Sequence, residues 1–150
     1  MPVRYLEDLR AGEKCLSPTL AVIEAEVIAF ATRYDPQPMH TDPAAAARGQ
    51  FGGLIASGWH TTGMTMRLLA EARVLGDGEV LGLGVDEIHW PKPVRPGDTL
   101  QAEIEIKSVT PSRSHPSHGI VKLGLTVRNQ RGEVVMTISP NCWVPRLPLQ

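Results

Sequence analysis

Asp35-Pro36-Gln37-Pro38-Met39-His40-Thr41-Asp42 stands between a helix-like stretch and a Gly-rich run, Phe51-Gly52-Gly53-Leu54-Ile55-Ala56-Ser57-Gly58-Trp59-His60, and these two segments decide how the chain is read. Two prolines exclude a helix interior and a central strand, so the first segment is expected to be a stiff loop. Such a loop holds Asp35 and His40 five positions apart with little conformational entropy left to lose. Acid–base chemistry needs that of two proton-transfer groups arranged around one reacting centre.

Upstream of the loop, residues 22–34 mix Ala, Val, Ile and Phe with Glu24, Glu26 and Arg33, which predicts a helix that Pro36 ends. Downstream, Pro43 followed by Ala44–Ala47 predicts a short helix with Asp42 as its N-cap and Gly49 as its stop. The longest helical candidate runs from about residue 58 to 74, with Ser57 as N-cap and Gly76 as the C-terminal stop. Trp59, Met66, Leu69 and Ala70 lie on one side of it, and Met64, Leu68 and Leu75 beside them, so it is expected to be buried.

The second half changes period. Val80–Trp90, Thr99–Val109, Ile120–Arg128 and Val134–Val144 read as strands. Leu100, Ala102, Ile104 and Ile106 alternate with Gln101, Glu103, Glu105 and Lys107, the pattern of antiparallel strands with one covered face. Arg95-Pro96-Gly97-Asp98 and Asn129-Gln130-Arg131-Gly132 are turns, and residues 13–20 are expected to add an edge strand. One long buried helix with four or five antiparallel strands predicts an α+β fold, the sheet wrapped on the helix.

Composition narrows the function. With 150 residues, 42% hydrophobic and 21% charged, one globular domain over residues 1–150 is expected. The formal net charge of −1 gives no basic footprint for nucleic acid. No apolar run reaches the ~18 residues of a membrane span, and the N-terminus lacks a signal-peptide core, so a cytoplasmic protein is expected. Cys15 and Cys142 have no metal-site or CxxC spacing and read as free thiols in a reducing compartment.

Three ordered motifs resemble the MaoC-type dehydratases, the family that includes the R-specific enoyl-CoA hydratases. The family pattern is an aspartate, then Asn-Pro, an apolar residue, histidine, any residue, aspartate; Asp35, Pro38, Met39, His40 and Asp42 occupy the matching places. The run Phe51–Gly58 resembles the family's approach to its central helix, and Trp90-Pro91-Lys92-Pro93-Val94-Arg95-Pro96-Gly97-Asp98-Thr99-Leu100 its "PV-x-PGDTL" motif. Gln37 stands where the family has asparagine and Tyr34 where it has glycine.

The resemblance implies a hot-dog fold, a homodimer or higher homo-oligomer, and addition of water to a 2-enoyl-CoA or the reverse dehydration of a 3-hydroxyacyl-CoA. Carried onto this chain, it implies Asp35 and His40 as the catalytic pair that handles water and protons. Which of them is acid and which base stays open, because a coupled pair titrates as a unit. Amides at the start of the long helix are candidates to bind the thioester oxygen, at Gly58 or Trp59, with Ser57 and Gly53 beside them as substrate-binding residues. Gly58 is expected to admit a ligand close to the backbone. Central-helix side chains such as Met64 and Leu68 are expected to wall the acyl pocket, and Arg95 and Lys92 to meet CoA phosphates. CoA enters as part of the substrate, and no separate cofactor is expected.

Other residues read as structural. Asp42 reads as a cap, His60 as a packed helix residue and His89 as a strand-face residue. No metal is expected at His115 and His118, which have no Cys or carboxylate at partner spacing. Two other functions fit the fold: a hot-dog thioesterase, and a non-catalytic acyl-thioester binding protein.

Overall fold

The structure, a computed structural model, describes residues 2–148. After a 3-10 turn at Leu6–Asp8 come β1 (Lys14–Ala21), α1 (Glu24–Tyr34), α2 (Pro38–Thr41), α3 (Pro43–Ala47) and α4 (Gly58–Ala72). Four strands follow: β2 (Leu81–His89), β3 (Thr99–Pro111), β4 (His118–Arg128) and β5 (Val134–Pro145). All pairings are antiparallel, in the order β1-β3-β4-β5-β2. The expected edge strand is β1, and β2 forms the opposite edge.

The period of two predicted for the sheet is what buries it. Leu100, Ala102, Ile104 and Ile106 of β3 face Val121, Leu123, Leu125 and Val127 of β4 in the core, while the alternate residues face outward. Leu68 and Met64 of α4 pack into the same cluster. Each fully buried Leu, Ile or Val contributes roughly 1.5–3 kcal/mol by leaving water.

Three expectations change. The Pro-rich loop is not all loop: Pro38 takes the first helical position, where its missing N–H costs nothing, and Pro38–Thr41 form one helical turn. That turn, rather than an extended loop, orients His40. The long helix ends earlier than expected, at Arg73 in the left-handed conformation (φ 54°). Gly76 lies beyond it, in a turn (φ 75°) where a Cβ would sit 2.6 Å from the Arg4 amide nitrogen.

Burial of the long helix is also one-sided. Thr61, Met64, Thr65 and Leu68 are closed in, whereas Trp59, Met66 and Ala70 are exposed. The sheet covers one face of the helix, and among the described residues nothing covers Trp59, Met66 and Ala70 on the opposite face. Met64 and Leu68, expected to wall the acyl pocket, belong to the buried core cluster of the chain. Among the described residues, no helix is long and apolar enough to cross a membrane.

Candidate active site

Three chain segments meet at the amino end of α4. The first is the end of α1, where Asp35 takes an irregular conformation (φ −154°, ψ 67°) immediately after the last helical residue. The second is α2, whose single turn carries His40. The third is Leu54–Ser57, which leads into α4.

Backbone bonds lock these segments together. Ile55 N–H donates to the Met39 carbonyl at 3.2 Å, and Ala56 N–H to the Val94 carbonyl at 2.8 Å. Val94 is held by the turn that follows it, where buried Asp98 accepts from the Arg95 amide at 3.0 Å. The "PV-x-PGD" motif thus sets the position of the run into α4, which explains why these two motifs occur together.

His40 is buried, 4% exposed. Its Nδ1 lies 2.7 Å from the Ile55 carbonyl oxygen. A carbonyl only accepts, so Nδ1 carries the proton, and in the neutral ring Nε2 is left with its lone pair. Nε2 points at Asp35 Oδ2, 3.4 Å away. The pair expected from sequence is therefore assembled, shielded on the imidazole side and open on the carboxylate side, where Asp35 is 22% exposed.

Asp35 is clamped at both oxygens. Gln37 Nε2 donates to Oδ1 at 2.7 Å, and Ser57 Oγ donates to Oδ2 at 2.8 Å. These two bonds, Gln37 first, hold the carboxyl below its usual value; partial burial opposes them, and His40 adds to them only when it is protonated. Sequence reading marked Gln37 only as a departure from asparagine. Its position two residues after Asp35 was the available signal, since a long amide there can turn back onto the carboxylate. The Ile55 carbonyl carries no sequence signal, because any residue type supplies one.

Ser57, fully buried, caps α4 as expected: its Oγ accepts from the Trp59 amide at 3.3 Å. The one hydroxyl thus ties the helix start to Asp35. The first amides of a helix have no intrahelical acceptor, and the Gly58 N–H has no partner among the described residues. On the side where a side chain would stand, Gly58 is met by Trp90: a Cβ there would lie 2.8 Å from its Cε2. Glycine is needed at 58 to admit that indole. Trp59 meets Trp90 edge to face, with ring centroids 5.3 Å apart.

The remaining expected residues sit as follows. Gly53 lies beside Arg95, whose guanidinium donates to the Phe51 carbonyl at 2.6 Å. Lys92 pairs with Glu133 at 2.7 Å. Both cations are thus engaged within the fold. Asp42 caps α3, its Oδ1 accepting from Ala44 and Ala45 N–H at 3.1 Å each. His60 stacks on Phe30 at 4.8 Å, a packing role, and burial lowers its pKa. His118 stacks on Trp143 at 5.0 Å, and His115 meets the same ring edge-on.

Comparison with known proteins places the chain. The model of the MaoC like domain matches residues 8–129. The crystal structure of a MaoC-like dehydratase from Rhodospirillum rubrum is 44% identical with a TM-score of 0.89, over 97% of this chain and 99% of that one. An (R)-hydratase from A. caviae involved in PHA biosynthesis is 29% identical with a TM-score of 0.75, over 95% and 99%. A 3-hydroxybutyryl-CoA dehydratase from Methylorubrum extorquens is 32% identical over 114 residues, 74% of this chain and 69% of that protein. The hot-dog architecture implied by the motifs is the one the chain shares with these hydratases.

Proposed function

This chain belongs to the MaoC-like dehydratase family, and on that premise we propose that it adds water to trans-2-enoyl-CoA thioesters to give (R)-3-hydroxyacyl-CoA, or runs the reverse dehydration. The observation that carries the reading is the 3.4 Å approach of His40 Nε2 to Asp35 Oδ2 at the amino end of α4. The names of the Methylorubrum dehydratase and the A. caviae (R)-hydratase support the substrate class and the R configuration.

With Nδ1–H given to Ile55, neutral His40 and ionised Asp35 present two acceptors to the same point. A water bound there donates one O–H to each, and its oxygen lone pair is left for the substrate. Attack on the β-carbon forms the C–O bond and pushes the double-bond electrons toward the thioester oxygen, giving an enolate. The water's proton passes to the pair and returns from it to the α-carbon, so the protein ends in its starting protonation state. Enolate charge is held by the Gly58 amide; the Trp59 amide is already committed to Ser57 Oγ. Such a donor is worth roughly 3–4 kcal/mol in the transition state. Ser57 and Gln37 keep Asp35 ionised and aimed.

The same reading takes the enzyme as cytoplasmic, with Cys15 and Cys142 reduced, and as a homodimer. Strand β2 offers a free edge on which Leu81, Leu83 and Val85 are exposed, a template for strand pairing with a second copy.

Crotonyl-CoA tests the proposal. Loss of the conjugated-enone absorbance without release of free thiol, and a product of R configuration, are expected. Thiol release would instead establish a thioesterase, and binding with neither signal a non-catalytic acyl-thioester protein.

A further inference from the structure

The amino end of α4 has two unlike sides. Successive helical residues project roughly 100° apart, so His60 and Gly58 point to nearly opposite sides of the axis. On the Ser57–His60 side stands α1: His60 stacks on Phe30, and Ser57 Oγ reaches Asp35. On the Gly58–Trp59 side stands Trp90, laid flat on the Gly58 backbone and edge to face with Trp59. Trp90 directly follows β2 and is fixed there by Pro91, which cannot extend the strand's ladder. Gly58 has no positive φ, so its backbone would accept any residue; only the indole requires that it lack a side chain. An indole held this closely, yet 40% exposed beside a Trp59 that is 59% exposed, is an open aromatic surface built into the edge of the site.

The reaction fixes which part of the substrate meets that surface. This step rests on the hydratase reading above. A thioester is planar at its carbonyl carbon, and its two arms leave that carbon on opposite sides of the C=O axis. With the oxygen on the Gly58 amide, the α- and β-carbons must lie toward Asp35 and His40. The sulfur and the arm beyond it then leave toward Trp90 and Trp59. In the single chain that side is open, with Trp90 40% and Trp59 59% exposed.

We propose that Trp90 and Trp59 form the binding surface for the thiol-side arm of the substrate, taking the thioester sulfur and the first, pantetheine-like part of the carrier against their indole faces. Sulfur against an aromatic ring and amide groups stacked on indole are both favourable contacts. Trp90 is accordingly a residue that selects the carrier arm, and the acyl group is read elsewhere.

The test is steady-state kinetics of wild type, Trp90→Ala, Trp90→Phe and Trp59→Ala on crotonyl thioesters that differ only in the thiol: CoA, pantetheine and methanethiol. A parallel series varies the acyl length on CoA. Trp90→Ala is expected to raise KM for the CoA and pantetheine thioesters by about threefold to tenfold. It should leave kcat within about twofold, leave the methanethiol thioester far less affected, and keep the order of acyl-length preference. Trp90→Phe should restore most of the loss, and Trp59→Ala should reproduce part of it, which keeps the test available if Trp90→Ala folds poorly. Equal loss on all three thiols, a fall in kcat alone, or a changed acyl-length order would overturn the assignment.

If wild type hydrates none of these thioesters, the hydratase reading fails, and the surface is then tested alone by tryptophan-fluorescence titration with saturated S-butyryl-pantetheine. Binding that Trp90→Ala weakens sustains the surface; no binding, or binding the variant does not change, overturns it.

Discussion

The middle of the sheet and the amino end of α4 are built from opposite materials. Between β3 and β4 every inward side chain is aliphatic and sealed, and any one of them could be exchanged for another of similar volume at modest cost. At the amino end of α4 the groups that meet are polar and partly open, and each is aimed by a specific hydrogen bond. One hydroxyl (Ser57), one amide side chain (Gln37) and one backbone carbonyl (Ile55) each hold one atom of the Asp35–His40 pair. The sheet stabilises through bulk, and the candidate site depends on direction. A substitution in one region should therefore change a quantity that a substitution in the other leaves alone.

The sharpest break in that contrast is expected at Asp35. Asp35→Asn removes the carboxylate's charge but keeps its shape, so hydration of crotonyl-CoA should fall by about a thousandfold, while the thermal midpoint stays within a few degrees. A large loss of stability would mean that Asp35 belongs with the core. Next comes the sheet: Ile104→Ala, at a fully buried position, should lower the unfolding free energy by roughly 2–5 kcal/mol in urea titration. Its kcat at a temperature where it remains folded should be close to wild type.

Ser57→Ala has an intermediate effect on the boundary between the two regions, and its mark is the pH profile. Hydrogen bonds from Gln37 and Ser57 hold the Asp35 pKa below its usual value. The ionised form therefore persists as pH falls, and activity declines only once pH drops below that depressed value. By the same linkage, any stability from Asp35 is present above its ordinary pKa of about 4 and is lost as pH falls through the lower, folded value. Removing the Ser57 hydroxyl should shift the acid limb of kcat/KM upward and lower the plateau by roughly tenfold. An unmoved acid limb would show that the 2.8 Å bond does not tune the carboxyl. The smallest effect is expected at the β2 edge: Leu83→Lys should weaken dimerisation in sedimentation and leave the fold of the single chain unchanged.

Regions with a strong period were legible before any coordinates. Alternation in Leu100–Lys107 identified β3 and its buried face, and Asp42 before Pro43-Ala44 identified a cap that forms as expected. The spacing of Asp35 and His40 named the pair that meets at 3.4 Å. What escaped was whatever depended on a partner distant in sequence. The α4 stripe of Trp59, Met66 and Ala70 has the same apolar character as the Met64–Leu68 face, and only the position of the sheet tells which of the two is covered. Gly58 carried no sign in the sequence that the place of its missing side chain is taken by Trp90, thirty-two positions later in the chain.

Local chemistry by itself determined the elements, their order and the family motifs, and it singled out Asp35 and His40, because period, proline and capping act within a few residues. Tertiary structure alone decided the direction of each polar atom and ring: the bond from His40 to the Ile55 carbonyl, the clamp on Asp35, and the indole of Trp90 seated against Gly58. Those choices depend on contacts between residues up to tens of positions apart, whose relative placement exists only once the sheet has closed on the helix.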